Sequence, residues 1–282
     1  MTIKPTERDT YFFDLRGYRK LAGALSGEEV AELNACLDAM PTMQPGEWYG
    51  YIHSHQFSGT NGTNLQQIYE AGEPFEKLID HPSWLEKVKL FVGGEGTFDY
   101  HHGPLFIDEN FASLRKREEG ISPHSGGARA GKRTQFRQRN GKFHCGQINV
   151  LMALTDIGPE DGPTIVVPGS HKANFPHPDI DLPGRTYGDD SSAGIEGAEA
   201  VHMQAGDALL FVDAICHGAL AKQSDGQRRI VVYRYGPSWG NFRHGYQPSP
   251  ELLERLTPQR REIVYPLNVL PREPQVCEDS AG

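Results

Sequence analysis

The residues best placed to do chemistry are a histidine and an arginine in the second half of the chain. The run Ala208-Leu209-Leu210-Phe211-Val212-Asp213 reads as a strand that delivers His217. Arg228 follows eleven residues later, at the start of Ile230-Val231-Val232-Tyr233. An imidazole and a guanidinium on neighbouring strands suit a joint role, in which the first holds a divalent metal and the second pairs with the carboxylate of a co-substrate bound to that metal. Adjacent strand residues face opposite sides, so only one of Arg228 and Arg229 can serve in this way.

Upstream stands Gly158-Pro159-Glu160-Asp161-Gly162-Pro163-Thr164-Ile165-Val166-Val167-Pro168-Gly169-Ser170-His171-Lys172. With that segment in place, the stretch from about Phe136 to Ser238 resembles the phytanoyl-CoA dioxygenase family of iron(II)/2-oxoglutarate oxygenases. The resemblance implies His217 as the distal metal ligand and Arg228 as the 2-oxoglutarate clamp. It implies Asn149 and Leu151, on the strand between, as co-substrate neighbours, and it puts His171 near the mouth of the site. The family's first ligand belongs to a His-x-Asp pair. Here the candidates are His124-Ser125-Gly126 and His144-Cys145-Gly146, each with glycine in the carboxylate position. His124 is the first choice and His144 the alternative, which otherwise faces the substrate.

The missing carboxylate matters chemically, because it frees a coordination position and removes one negative charge from the metal. In this superfamily a His-x-Gly pair marks halogenases, in which chloride fills that position. Three functions therefore stand open. The first is hydroxylation or another oxidation of a small-molecule C–H bond with Fe(II), 2-oxoglutarate and O2. The second is halogenation with chloride as a further cofactor, and the third is a metal-free binding module. Trp239, Asn241, Arg243, His244 and Tyr246 form a polar-aromatic cluster after the last core strand, with Trp239 and Arg243 as substrate candidates. The family name does not fix the substrate.

The elements that must position these groups can be read from the same chain. Ser26-Gly27-Glu28-Glu29 opens a helix with Val30, Leu33, Leu37 and Met40 at helical spacing. Residues 82–91 predict a second, short helix. From residue 95 the texture turns to β, although Glu109 to Arg133 is polar and glycine-rich and reads as a long loop. Asn140-Gly141 predicts a two-residue hairpin turn between Phe136–Arg139 and Lys142–Cys145. Gln147–Leu154 predicts a central strand covered on both faces, Thr164–Val167 another, and residues 171–198 a Pro/Gly/Asp-rich insertion. Pro248–Leu256 predicts a capped helix.

The fold expected is mainly β with helical support, and the resemblance implies a double-stranded β-helix, the jelly roll or cupin-like arrangement. With no linker in view, one domain is expected. Residues 1–95 would give helical support, 96–238 the core, 239–271 a C-terminal segment and 272–282 a disordered tail.

Bulk composition narrows the partners. A net charge of −9, from 37 acidic against 28 basic residues, repels nucleic acid and anionic membrane. Arg129 to Arg139 is a local basic run, read as a solvated hairpin face, with a site that attracts an anionic substrate group as the alternative. The four cysteines lack CxxC pairing, the usage of a reducing compartment. No signal-peptide core or membrane-length apolar run occurs, so a cytoplasmic location is expected. Oligomeric state is not legible.

Overall fold

The computed structural model describes residues 3–57, 61–93, 103–125, 131–180, 194–238, 240 and 246–265. In chain order its strands are β1 (Tyr18–Leu21), β2 (Trp48–Tyr49), β3 (Ile52–His55), β4 (Thr63–Gln66), β5 (Phe106–Arg115), β6 (Ile121–His124), β7 (Phe136–Arg139), β8 (Lys142–Cys145), β9 (Ile148–Ala153), β10 (Thr164–Val166), β11 (Glu199–Val201), β12 (Ala208–Val212), β13 (His217–Ala219) and β14 (Arg228–Gly236). Its helices are α1 (Glu7–Arg16), α2 (Gly27–Asp38), α3 (Glu73–Glu76), α4 (Leu85–Val92), α5 (Pro250–Arg255) and α6 (Pro258–Val264).

The pairings are antiparallel. The larger sheet runs β1-β12-β9-β14-β5-β4-β3-β2, the smaller β11-β10-β13-β6, and β7-β8 stands as a separate hairpin. One cavity is lined from both sheets, which therefore face each other across it. This is the jelly-roll architecture expected above.

Strand β14 organises the larger sheet, because its two faces do different work. Tyr233 and Tyr235 turn outward and donate their hydroxyls to backbone carbonyls of the helical layer, Tyr233 to Phe75 at 2.7 Å and Tyr235 to Ile79 at 3.0 Å. Arg229 also turns outward, to Asn34 and Asp38 on α2. Arg228, Ile230, Val232 and Arg234 alternate inward and line the cavity. The helices thus clamp β14 from behind. They are themselves fixed by buried aromatics, with Trp84 fully enclosed and Phe13 stacked on Phe91 at 3.6 Å.

Several expected elements form for the expected reason. Ser26 caps α2, accepting from the Glu29 amide while the Glu29 carboxylate accepts from the Ser26 amide. Asn140 (φ 53°) and Gly141 (φ 77°) make the hairpin turn. Every residue of β9 is buried, as a strand covered on both faces requires. The helix read at 82–91 is present as α4, starting at Leu85 after a turn.

The loop read over Glu109 to Arg133 is not one. β5 runs into it as far as Arg115, and β6 lies within it. The polar residues at the start of that stretch are buried and bonded to neighbouring elements, whereas Lys116, Arg117 and Glu118 between β5 and β6 are exposed. Glu109 accepts from Gln66 at 3.1 Å and pairs with Arg234, while Asn110 accepts from the Tyr69 amide at 3.0 Å and donates to Gln67 at 3.2 Å. At the C-terminal end, α6 follows the helix that was expected there. The tail beyond Tyr265 lies outside the described residues.

Gly218 lets β13 approach β6 closely. A Cβ there would stand 2.7 Å from the Ile121 carbonyl oxygen and 3.0 Å from the Pro123 nitrogen, both backbone atoms. Gly218→Ala should therefore force β13 and β6 apart. Overpacking of this kind costs roughly 1–3 kcal/mol. Thermal melting followed by circular dichroism should show a loss of about 5 °C, from roughly 2–4 °C per kcal/mol in a chain of this size.

Candidate active site

β6 and β13 set His124 and His217 opposite each other as register partners. Their ring centroids are 4.2 Å apart and inclined at 56°. Each ring is oriented by its own backbone: His124 Nδ1 lies 2.9 Å from the Ser122 carbonyl oxygen, and His217 Nδ1 lies 2.8 Å from that of Ile215. A carbonyl only accepts, so the proton resides on Nδ1 of both rings. Each Nε2 then carries a lone pair, the form in which imidazole binds a metal.

Burial pushes the pKa of His124 down to about 3, assisted by the facing His217, and that of His217 down to about 4. Both rings are neutral at physiological pH, so neither must lose a proton before ligating. Ser125, directly after His124, adopts φ 66°, an uncommon conformation for a residue with a Cβ, and it redirects the chain just past the ring.

The cavity below these rings opens to solvent and, with that open space included, contains about 440 Å³ free of protein atoms. Arg228, 1% exposed, lines it with Arg115, Thr164, Leu151, Phe111 and Phe211. Arg228 donates to Thr164 Oγ1 at 3.3 Å, while its Nε and Nη1 have no hydrogen-bond partner. Burial, reinforced by the nearby Arg115, holds its pKa well below the usual value. An arginine in this state suits a carboxylate, which accepts two parallel N–H bonds.

Of the other candidates, Leu151 lines the cavity. Asn149 is buried on the same face, and its amide donates to Asp213 Oδ1 at 3.2 Å, a bond that commits it to the turn before His217. Asp213 is fully buried and lies 3.5 Å from Arg133. Among the described residues no three His, Cys, Asp or Glu side chains gather as a metal cluster.

His144 and His171 are not brought to the cavity. His144 sits on β8 between Phe143 and Cys145, which are buried, Phe143 packing edge-on against Phe13 and Phe91. Strand alternation turns His144 to the other face of the hairpin. His171 is buried between α1 and the hairpin, its Nε2 3.0 Å from the Asp14 carbonyl oxygen and its ring edge-on to Phe136. It fastens the Pro-Gly-Ser-His turn to α1 and is not among the residues that line the cavity. Gly126, Trp239, Asn241, Arg243 and His244 lie outside the described residues.

Sequence reasoning missed Arg115, Phe111 and Arg234. The first two fall in the stretch that reads as a loop, and Arg234 lies six residues from Arg228, an even spacing that places both on one strand face. It also missed a line of rings leading outward from Phe111. Phe57 contacts Phe111 at 6.3 Å and His55 at 4.4 Å, His55 meets His53 at 5.9 Å, and Trp48 stacks on His53 at 4.6 Å. Tyr246 joins them with its hydroxyl 2.7 Å from His53 Nδ1.

The profile of the family described as phytanoyl-CoA dioxygenase (PhyH) matches residues 13–230. Dioxygenase cdmD of Talaromyces verruculosus is 29% identical over 224 residues, covering 76% of this chain and 66% of that protein. Dioxygenase cdmA of the same fungus is 30% identical over 122 residues, covering 42% of this chain and 36% of its own. The chain thus spans no more than about two thirds of the length of these curated relatives. Among solved structures, HygX from Streptomyces hygroscopicus, with nickel, 2-oxoglutarate and hygromycin B bound, superposes with a TM-score of 0.68 at 25% identity. The match covers 88% of this chain and 94% of that one. No helix among the described residues is long and apolar enough to cross a membrane.

If the two facing imidazoles form the metal seat, His124→Ala and His217→Ala should each lower affinity for a divalent probe such as Co(II) by at least about 10-fold. His144→Ala should leave it within about twofold. Equilibrium dialysis of the purified variants would measure all three.

Proposed function

The chain belongs to the phytanoyl-CoA dioxygenase family, and from that premise we propose that it is an oxygenase using iron(II), 2-oxoglutarate and O2 to oxidise a C–H bond of a small molecule. One observation carries the reading. A single cavity holds two neutral imidazoles with Nε2 lone pairs and a buried arginine with unpartnered N–H donors. The donor set fits the cofactors: imidazole nitrogen suits iron(II), and a forked guanidinium suits the distal carboxylate of a 2-oxo diacid.

His124 and His217 would hold the metal. Arg228, steadied by Thr164, would bind and orient the co-substrate carboxylate, and Leu151, Phe211, Ile230 and Val232 would keep water from the space between. When bound, iron(II) supplies dioxygen activation coupled to oxidative decarboxylation of 2-oxoglutarate to succinate and carbon dioxide. Glu109 neutralises Arg234 at the side of the cavity, so that cation does not compete with Arg228 for the carboxylate. The rings from Phe111 outward to Trp48 and Tyr246, most of them tilted or edge-on to one another, would give a substrate an uneven aromatic flank with imidazole and hydroxyl groups along it. A small molecule with an apolar body and polar substituents is the class such a flank fits.

Hydroxylation or a related oxidation is the reading put forward. Halogenation stood on Gly126, and no described residue adds support for it. A metal-free binding module would leave the neutral imidazole pair without a use.

Succinate release provides the test. Protein loaded with iron(II) and given 2-oxoglutarate in air should form succinate above an iron-only control even without its substrate. Arg228→Gln should reduce that rate by about 100-fold, in line with the roughly 2–5 kcal/mol lost when one partner of a buried charge pair is removed. Succinate no higher than the control from the wild-type protein, or full activity in Arg228→Gln, would overturn the proposal.

A further inference from the structure

We propose that Arg115 is a second seat for the distal carboxylate of the co-substrate, which would lie between two guanidiniums. This rests on the oxygenase reading above and adds to it a residue that determines co-substrate choice.

Arg115 ends β5 and Arg228 begins β14, and the two are direct register partners. Side chains directly opposite in an antiparallel pair stand about 5 Å apart at Cβ, and like charges there destabilise the sheet. Both residues are buried, 2% and 1% exposed, and both line the cavity. Nε and Nη1 of Arg115 have no hydrogen-bond partner, and the same two atoms of Arg228 have none.

The acids that act on them are engaged elsewhere. Glu119 acts on Arg115, yet its Oε2 accepts from the Lys116 amide at 2.6 Å. Asp161 acts on Arg228, but its carboxylate serves Lys222, Ser224 and the Gly158 amide. Burial holds the pKa of Arg115 down to about 10, a sign that its charge lacks compensation. Arg234, the third arginine of the cavity, differs because Glu109 balances it.

Two buried like charges side by side, with donors unspent, are costly for the fold alone. A carboxylate has about four lone-pair sites and can accept from both forks at once. A 2-oxo monoacid, lacking a distal carboxylate, would leave both guanidiniums as they are. The pair therefore selects a dicarboxylic 2-oxo acid.

The test uses the full chain loaded with Ni(II), which binds without turnover, and follows thermal stabilisation by 2-oxoglutarate and by 2-oxobutyrate. Arg115→Gln and Arg115→Met should weaken 2-oxoglutarate about 30-fold, the scale of a lost charge-assisted hydrogen bond. Arg115→Lys, which keeps the charge without the fork, should weaken it about fivefold. Binding of 2-oxobutyrate should change less than about threefold in all three. Without ligand, Arg115→Met should melt no lower than the wild-type protein, because it removes an uncompensated charge.

If Arg228→Gln weakens 2-oxoglutarate while the Arg115 variants stay within twofold, or if Arg115→Met melts markedly lower and binds both acids equally poorly, the second seat is wrong and the oxygenase reading stands. If Arg228→Gln also binds 2-oxoglutarate as tightly as the wild-type protein, the oxygenase reading falls with it.

Discussion

Burial of positive charge opposite neutral imidazole is the constraint around which this structure is arranged. Moving a guanidinium out of water is expensive, and a fold keeps it there when neighbours or a ligand compensate. Arg234 has Glu109, whereas Arg115 and Arg228 face the cavity with donors unspent. Across the same space the two histidines are held neutral by burial and fixed in one tautomer by backbone carbonyls. The cavity thus presents guanidinium donors on one side and imidazole lone pairs on the other.

That arrangement depends on strands held to a fixed register. β14 carries Arg228 and Arg234 inward only because Tyr233 and Tyr235 are bonded outward to the helical layer and Arg229 to α2. A slip of one residue would exchange the two faces and put the tyrosines in the cavity. β13 and β6 bring the imidazoles together because Gly218 lets the backbones meet. The helices support the site from behind the sheet, and the cavity is lined by residues of the strands.

Much of this was legible in the sequence, for physical reasons. The Asn-Gly turn, the Ser-x-x-Glu cap and the unbroken apolar run of β9 are local signals whose cause lies within a few residues. The placement of His217 and Arg228 beside strands is local in the same way, while the roles given to them come from the family resemblance. β5 was hidden because what makes it a strand is distant. Its polar residues find partners on β4, β14 and the turn after β4, and no local pattern announces partners that come from elsewhere in the chain. Missing β5 meant missing Arg115. His171 and His144 show the opposite limit: their types suggested a site, and burial against α1 for one and strand alternation for the other direct them away from it.

The measurement that bears most directly on the proposed metal and carboxylate seats is an anaerobic titration of the metal-free protein with iron(II) and then 2-oxoglutarate, followed by visible absorption. A metal-to-ligand charge-transfer band should appear only when both are present and should saturate at one equivalent of iron. Absence of the band at saturating iron and 2-oxoglutarate would contradict the assignment of this cavity as an iron(II)/2-oxoglutarate site.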